Sequence, residues 1–210
     1  MTRAEPTTAS VSGAPPKAAF RRRLLEAMAD TVRETGYREA TVADVVRHAG
    51  TSRRTFYEHF DSKQDCFLEL LHEHNNTIIR QISDAVDPLA PWQDQVRQAV
   101  EAWIDTSRRD PQITLAWIRD VPALGDAAVQ LHHDATGSFI SLIQRLSDAT
   151  SFETTGIHPL TRRTATFLVG GYRELIASAV ESGQDVREII EDAVDIALAV
   201  IGPRYSSPSP

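Results

Sequence analysis

Residues 41–63 read TVADVVRHAGTSRRTFYEHFDSK, and the fold is decided here. Thr41 stands before a short run with helical spacing, Val42, Val45, Val46 and Ala49. Asp44 follows Thr41 by three positions, a capping-box-like arrangement with Asp in place of Glu. Gly50 closes the run, because a residue without Cβ takes the left-handed backbone that a tight turn needs. Thr51 or Ser52 caps a second short helix that the pattern carries to about Phe60. Two short helices around a glycine turn make a helix-turn-helix. The second opens with Thr51, Ser52, Arg53, Arg54 and Thr55, the end that meets base edges when such a helix enters the major groove. Arginine can pair bidentately with guanine O6 and N7. Hydroxyls and free N–H groups at a helix start suit phosphate oxygens. Tyr57, His59 and Lys63 are placed to anchor flanking phosphates. Phe56 and Phe60, four apart, form the opposite face and are expected to pack on the preceding helix.

Working outward, that preceding helix is expected from Lys17 to about Thr35, with Phe20, Leu24, Ala27, Met28 and Val32 on its apolar stripe and Gly36 as its stop. Asp61 or Ser62 caps a long fourth helix, and Pro88 and Pro91 break the chain after it. A helix from Trp92, a short segment after Pro111 and a helix from about Pro122 to Ser147 follow. Beyond the loop DATSFETTGIH (148–158), two last helices are expected over 159–182 and 185–201, parted by Gly183. The periodicity gives an all-α chain of about nine helices, with no run of alternating β-branched residues. Residues 1–16 and 203–210 are rich in Ser, Thr, Ala and Pro and are expected to be a disordered arm and tail. A head over 17–63 and a body over 64–202 are expected between them.

The 210-residue chain carries a net charge of −7, but unevenly. From Lys17 to Lys63 there are 10 Lys and Arg against 7 Asp and Glu; from Gln64 onward there are 11 against 21. A mildly basic head on a strongly acidic body suits a head that approaches a polyanion and a body that does not. A single cysteine excludes an intrachain disulfide. No run of about 18 apolar residues is present, and the N-terminus lacks the basic-then-apolar order of a signal peptide. A cytoplasmic protein without membrane contact is expected.

The segment TVADVVRHAGTSRRTFYEHFDSKQDCFLELL, Thr41 to Leu71, resembles the signature of TetR-type transcriptional regulators, and the close resemblance covers about residues 20–71. It implies a three-helix DNA-binding head on a helical body that binds a ligand and dimerises. By that resemblance Thr41, Ser52, Arg53, Thr55, Tyr57, His59 and Lys63 fall on positions that touch DNA; Thr51 and Arg54 complete the candidate set from the helix start. Three positions depart from the family's pattern. Arg54 stands where Gly is frequent, Thr51 where a small aliphatic residue packs, and Val46 where a small residue lets the two helices approach.

In the body, Trp103, Trp117, Phe139 and Phe167 are candidate walls of a small-molecule pocket, with Arg119 as a candidate partner for an anionic ligand. The last two helices carry wide apolar stripes with small residues at Gly170, Gly171, Ala177 and Ala179. By resemblance, these helices pair with their copies in a second subunit. A homodimer also follows from the short recognition helix, since two heads on a two-fold axis read the half-sites of a palindromic operator about 34–36 Å apart. No histidine spacing suggests a metal, no cofactor is expected, and no catalytic constellation stands out. Cys66 is expected as a buried thiol. The sequence thus points to a regulator of transcription that reads double-stranded DNA and responds to a small-molecule effector, most simply a repressor released by it. The alternative is a helical ligand-binding or protein-interaction module whose head does not read DNA.

Overall fold

The computed structural model describes residues 16–149 and 160–202. The expected arm up to residue 15, the loop from residue 150 and the tail from residue 203 lie outside the described residues. Nine α-helices and no strand are found among those described.

Helix α1 (Pro16–Glu39) buries Leu24, Leu25, Met28 and Val32. Phe20, expected on this stripe, stays 38% exposed, with Arg23 over its ring at 4.4 Å. Gly36 breaks the helical geometry at φ 76° and ψ 160°, and one further turn follows. Helix α2 (Val42–His48) starts on the expected box: Asp44 N donates to Thr41 Oγ1, and Thr41 N donates to Asp44 Oδ2. Gly50 takes φ 56° in the turn.

Helix α3 (Arg53–Tyr57) is shorter than the pattern suggested, ending three residues before Phe60. Ser52 is its cap and accepts from Thr55 N at 3.1 Å. A helix of five residues has no stability of its own, because nucleation costs more than so few hydrogen bonds return. Packing holds it instead. Phe56 and Phe60 are buried in the core that α1 and α2 also line, with Arg21 over the Phe60 ring at 4.3 Å.

Helix α4 (Lys63–Ala85) starts on a Ser62 cap. Its first half, through Cys66, Phe67 and Leu71, lies in a core that the head shares with Ile113, Ala116, Trp117 and Val121; its second half, through Ile78 and Ile82, lies in the second core, formed by the body. The core under the head thus extends past residue 63, into α4 and the segments from Ile113 to Ala135. Next come α5 (Trp92–Arg109), α6 (Pro111–Arg119) and α7 (Asp126–Ala149). Helix α7 starts later than expected because Pro122 lies in a 3-10 turn, Val121–Ala123, and Gly125 takes φ 81° before it. Helix α8 (Arg162–Ser182) ends on left-handed Gly183. The last expected helix divides into a 3-10 turn, Val186–Ile189, and α9 (Ile190–Ile201).

Two ion pairs also tie head to body. Arg33 on α1 grips Asp110, the residue before α6, with Nε 3.1 Å from each carboxylate oxygen. Arg38 Nε donates to Asp120, just after α6, at 2.9 Å. Helix α6 is therefore bracketed by ion pairs to α1. No described helix is long and apolar enough to cross a membrane.

Candidate DNA-reading surface and effector cavities

The outward face of α3 presents Ser52, Arg53, Arg54 and Tyr57, the last 55% exposed. Arg53 makes no hydrogen bond or ion pair among the described residues, so its guanidinium is available. Arg54 is different: its Nε lies 3.2 Å from Glu58 Oε1, one turn along the same helix. The hydroxyls of the candidate set are partly committed. Thr41 Oγ1 donates to Asp44 Oδ2 at 2.6 Å, and this bond is the main cause holding the Asp44 carboxyl below its usual range. Ser52 Oγ and Thr55 Oγ1 lie 3.0 Å apart. Thr51, partly buried, is tied by its N–H to Val46 O at 3.0 Å, and Val46 itself is buried between the helices.

His59 and Lys63 are set back from this face. His59 is half-buried, stacked on Phe20 at 6.4 Å, and its carbonyl accepts from Arg21. The Lys63 ammonium donates to Tyr37 O at 3.0 Å and Ala40 O at 2.8 Å, and stands 4.3 Å over the Tyr37 ring. It braces the turn between α1 and α2 against the start of α4. Burial lowers its pKa, as expected for an ammonium taken partly out of water. Cys66 is fully buried, and burial pushes its thiol up, away from the reactive thiolate.

The body holds two neighbouring cavities. One, of about 90 Å³, is almost wholly apolar and lies between Ile82, Trp92, Trp103, Phe139, Leu142 and Tyr172. The other, of about 30 Å³, touches Trp103, Trp117 and Phe139 but also polar side chains. Trp103 and Phe139 stack at 4.6 Å and form the wall common to both. Trp103, Trp117 and Phe139 thus face cavities. The fourth candidate wall residue, Phe167, and the candidate anion partner, Arg119, do not. Phe167 is 65% exposed on the outer face of α8. Arg119 lines an open groove, where it holds Glu174 and Glu181 of α8 at 2.8 and 2.7 Å.

Sequence reasoning passed over Trp92 and the polar residues of the smaller cavity, His74, Asn75, Ser107 and Arg173. A signal was present for two of them. Asn75 interrupts the stripe Leu71, Ile78, Ile82 on α4, and Ser107 continues the stripe Val100, Trp103, Ile104 on α5.

The stripes on α8 and α9 divide between two uses. Leu168, Tyr172 and Ile176 face inward, and Tyr172 Oη donates to Ala193 O at 3.0 Å. Phe167, Gly171, Leu175 and Ile196 form a shallow apolar groove on the outside.

The described residues thus form a helix-turn-helix head carried on an all-helical, cavity-bearing body. Residues 24–70 match the model of the bacterial regulatory proteins of the tetR family. A Mycolicibacterium smegmatis protein, the HTH-type transcriptional activator FasR, is 29% identical over 97 residues, 46% of this chain and 44% of FasR. The matched segment therefore spans less than half of that relative's length. Two solved structures share the fold across almost the whole chain. The fatty acid degradation regulator FadR from Bacillus halodurans superposes with a TM-score of 0.75 at 15% identity, covering 91% of this chain and 97% of its own. FadR from Bacillus subtilis, solved in complex with stearoyl-CoA, gives 0.73 at 15% identity, covering 87% and 99%.

Proposed function

We propose that the chain is a homodimeric, sequence-specific DNA-binding regulator that leaves its operator when a small molecule fills the body, and so acts as a repressor. The observation that carries this reading is the course of α4. It starts at the Lys63 brace under the head and continues into the wall of both cavities, through His74, Ile78 and Ile82. Occupancy of the body is thereby coupled to the position of the head. Helix α6 gives a second route, since Thr114, Trp117 and Ile118 line the smaller cavity while Asp110 and Asp120 hold α1.

Each head contributes residues 17–63, with Arg53 as the base-reading side chain and Ser52, Arg54, Thr55 and Tyr57 around it. Thr41, Thr51, His59 and Lys63 border this surface and position it. The apolar groove of Phe167, Leu175 and Ile196 supports pairing of α8 and α9 with a second copy, because exposed apolar patches of this kind mark interfaces. The pair then sets the separation of two recognition helices. The effector must favour the state whose separation does not match the operator, since a ligand shifts an equilibrium only by its differential affinity for the two states. The apolar cavity favours an effector with a hydrocarbon part, and the stearoyl-CoA complex of Bacillus subtilis FadR is a precedent in the same fold.

The test is binding of the full-length protein to DNA across a salt series. A head that grips phosphate loses affinity steeply and linearly on a log–log scale. Salt-independent binding, or none, would leave a helical ligand-binding module instead.

A further inference from the structure

Arg173 on α8 lines the smaller cavity and also the open groove that Arg119 and His132 border. It lies against His132, with Nη2 3.3 Å from Nδ1 and Nη1 3.4 Å from Nε2, and 5.9 Å from the Trp117 ring centroid. Among the described residues no carboxylate meets it. Arg21, Arg33, Arg38, Arg97, Arg119 and Arg187 each have one. Burial pushes the Arg173 pKa down to about 10, so it is still a cation at neutral pH. His132 does not share the charge, because burial, and then Arg173 itself, hold it below its ordinary value.

The chamber around Arg173 is also short of hydrogen bonds. His74 Nε2, Ser107 Oγ and Thr136 Oγ1 are buried without a partner. Asn75, 5% exposed, makes no side-chain hydrogen bond among the described residues. Buried polar groups in native cores are nearly always satisfied, and a buried charge is costly unless it is paired. Here one cation without a carboxylate and three buried, unsatisfied polar side chains line a single cavity, with Asn75 beside them. One or two waters would fit its 30 Å³ and satisfy the hydroxyls. They would leave the charge on Arg173 uncompensated. A small anion does both. Directly across the Trp103–Phe139 pair lies the larger cavity, lined by hydrocarbon.

We propose that the body binds an apolar carboxylic acid, its carboxylate on Arg173 among His74, Asn75, Ser107 and Thr136, its hydrocarbon part running past Trp103 and Phe139 into the larger cavity. This rests on the reading of the body as effector-binding and names the effector's chemical class. The chamber takes a carboxylate and nothing the size of a nucleotide, so the free acid is specified over its coenzyme A thioester.

The test is calorimetry on the full-length protein without DNA, using octanoate, octan-1-ol and octanoyl-CoA as probes. Octanoate should bind, and octan-1-ol should bind more weakly. Arg173→Met keeps the apolar stem and removes the charge; it should weaken octanoate at least about ten-fold, the scale of a charged hydrogen bond, and leave octan-1-ol unchanged. Arg173→Lys should restore part of the loss. Should Arg173→Met fail to fold, Thr136→Val removes one hydroxyl at constant shape and should weaken octanoate alone. The proposal is overturned if no probe binds, if octan-1-ol matches octanoate, if the variants bind octanoate like the parent, or if octanoyl-CoA binds more tightly than octanoate. Because no DNA is present, the outcome is independent of what the head reads. Operator binding that ignores octanoate, with the calorimetry as expected, would defeat the regulatory coupling and spare the carboxylate site.

Discussion

Replacing Lys63 with methionine separates two roles for one side chain. The resemblance to regulators of this type puts Lys63 on a phosphate. The geometry ties its ammonium to the carbonyls of Tyr37 and Ala40 at 3.0 and 2.8 Å, over the Tyr37 ring. A hydrogen bond from a charged donor is worth about 1.5–3 kcal/mol. Two such bonds at a half-buried site, where water replaces part of the loss, put the cost of Lys63→Met at about 2 kcal/mol. Methionine fills the stem's volume, so packing changes little. Urea unfolding followed by circular dichroism reads the stability, and operator binding across a salt series reads the grip on phosphate. A brace lowers the unfolding midpoint and leaves the slope of log K against log salt unchanged. A lysine that neutralises a phosphate does the reverse: without it the slope flattens by about 0.9 per phosphate released. Unchanged stability with a flattened slope would refute the brace.

Arg53→Ala should cost about 1–3 kcal/mol on the preferred operator and far less on random DNA, whereas Arg54→Ala, held back by Glu58, should weaken all sequences alike; competition binding with mutated operators distinguishes them, and equal specificity loss at both would contradict this ordering. Phe167→Glu should yield folded monomers in sedimentation velocity, because the residue is exposed on α8 and a carboxylate in an apolar interface is strongly disfavoured; a persisting dimer would move the interface elsewhere. Burial holds His74 below its ordinary 6.5, so below that pH the unfolded chain binds the extra proton. Stability is then full above about pH 6.5 and declines as pH falls through it. His74→Asn should reduce the loss of melting temperature on acidification, and an unaltered loss would show that the imidazole is not the group responsible.

The head could be read from the sequence because its determinants are local. Thr41 meets Asp44 three residues on, Ser52 meets Thr55 three residues on, and Gly50 fixes the turn between them. What escaped was the length of α3, since Phe60 continues the aromatic spacing after the helix has ended. In the body the deciding interactions are distant. Arg119 is an anion-site candidate by sequence alone, but its acids lie 55 and 62 positions away on α8. Phe167 fits the apolar period of α8 as well as Leu168 does, and only the packing tells which faces inward. Arg173 has the opposite history. An arginine on a surface helix attracts no notice until α7 closes over it and the expected carboxylate is missing. Periodicity finds the residues that build a core; it does not find the polar groups that a core leaves unanswered.

Paired heads that read DNA as a unit leave a signature in the sequences they select. Selection of bound sequences from a random pool by the full-length protein at fixed salt tests it most directly. A paired head should enrich two inverted half-sites whose centres lie one helical turn apart, about 34–36 Å, or a multiple of it. Enrichment of a single isolated half-site, or no enrichment above the input pool, would contradict it.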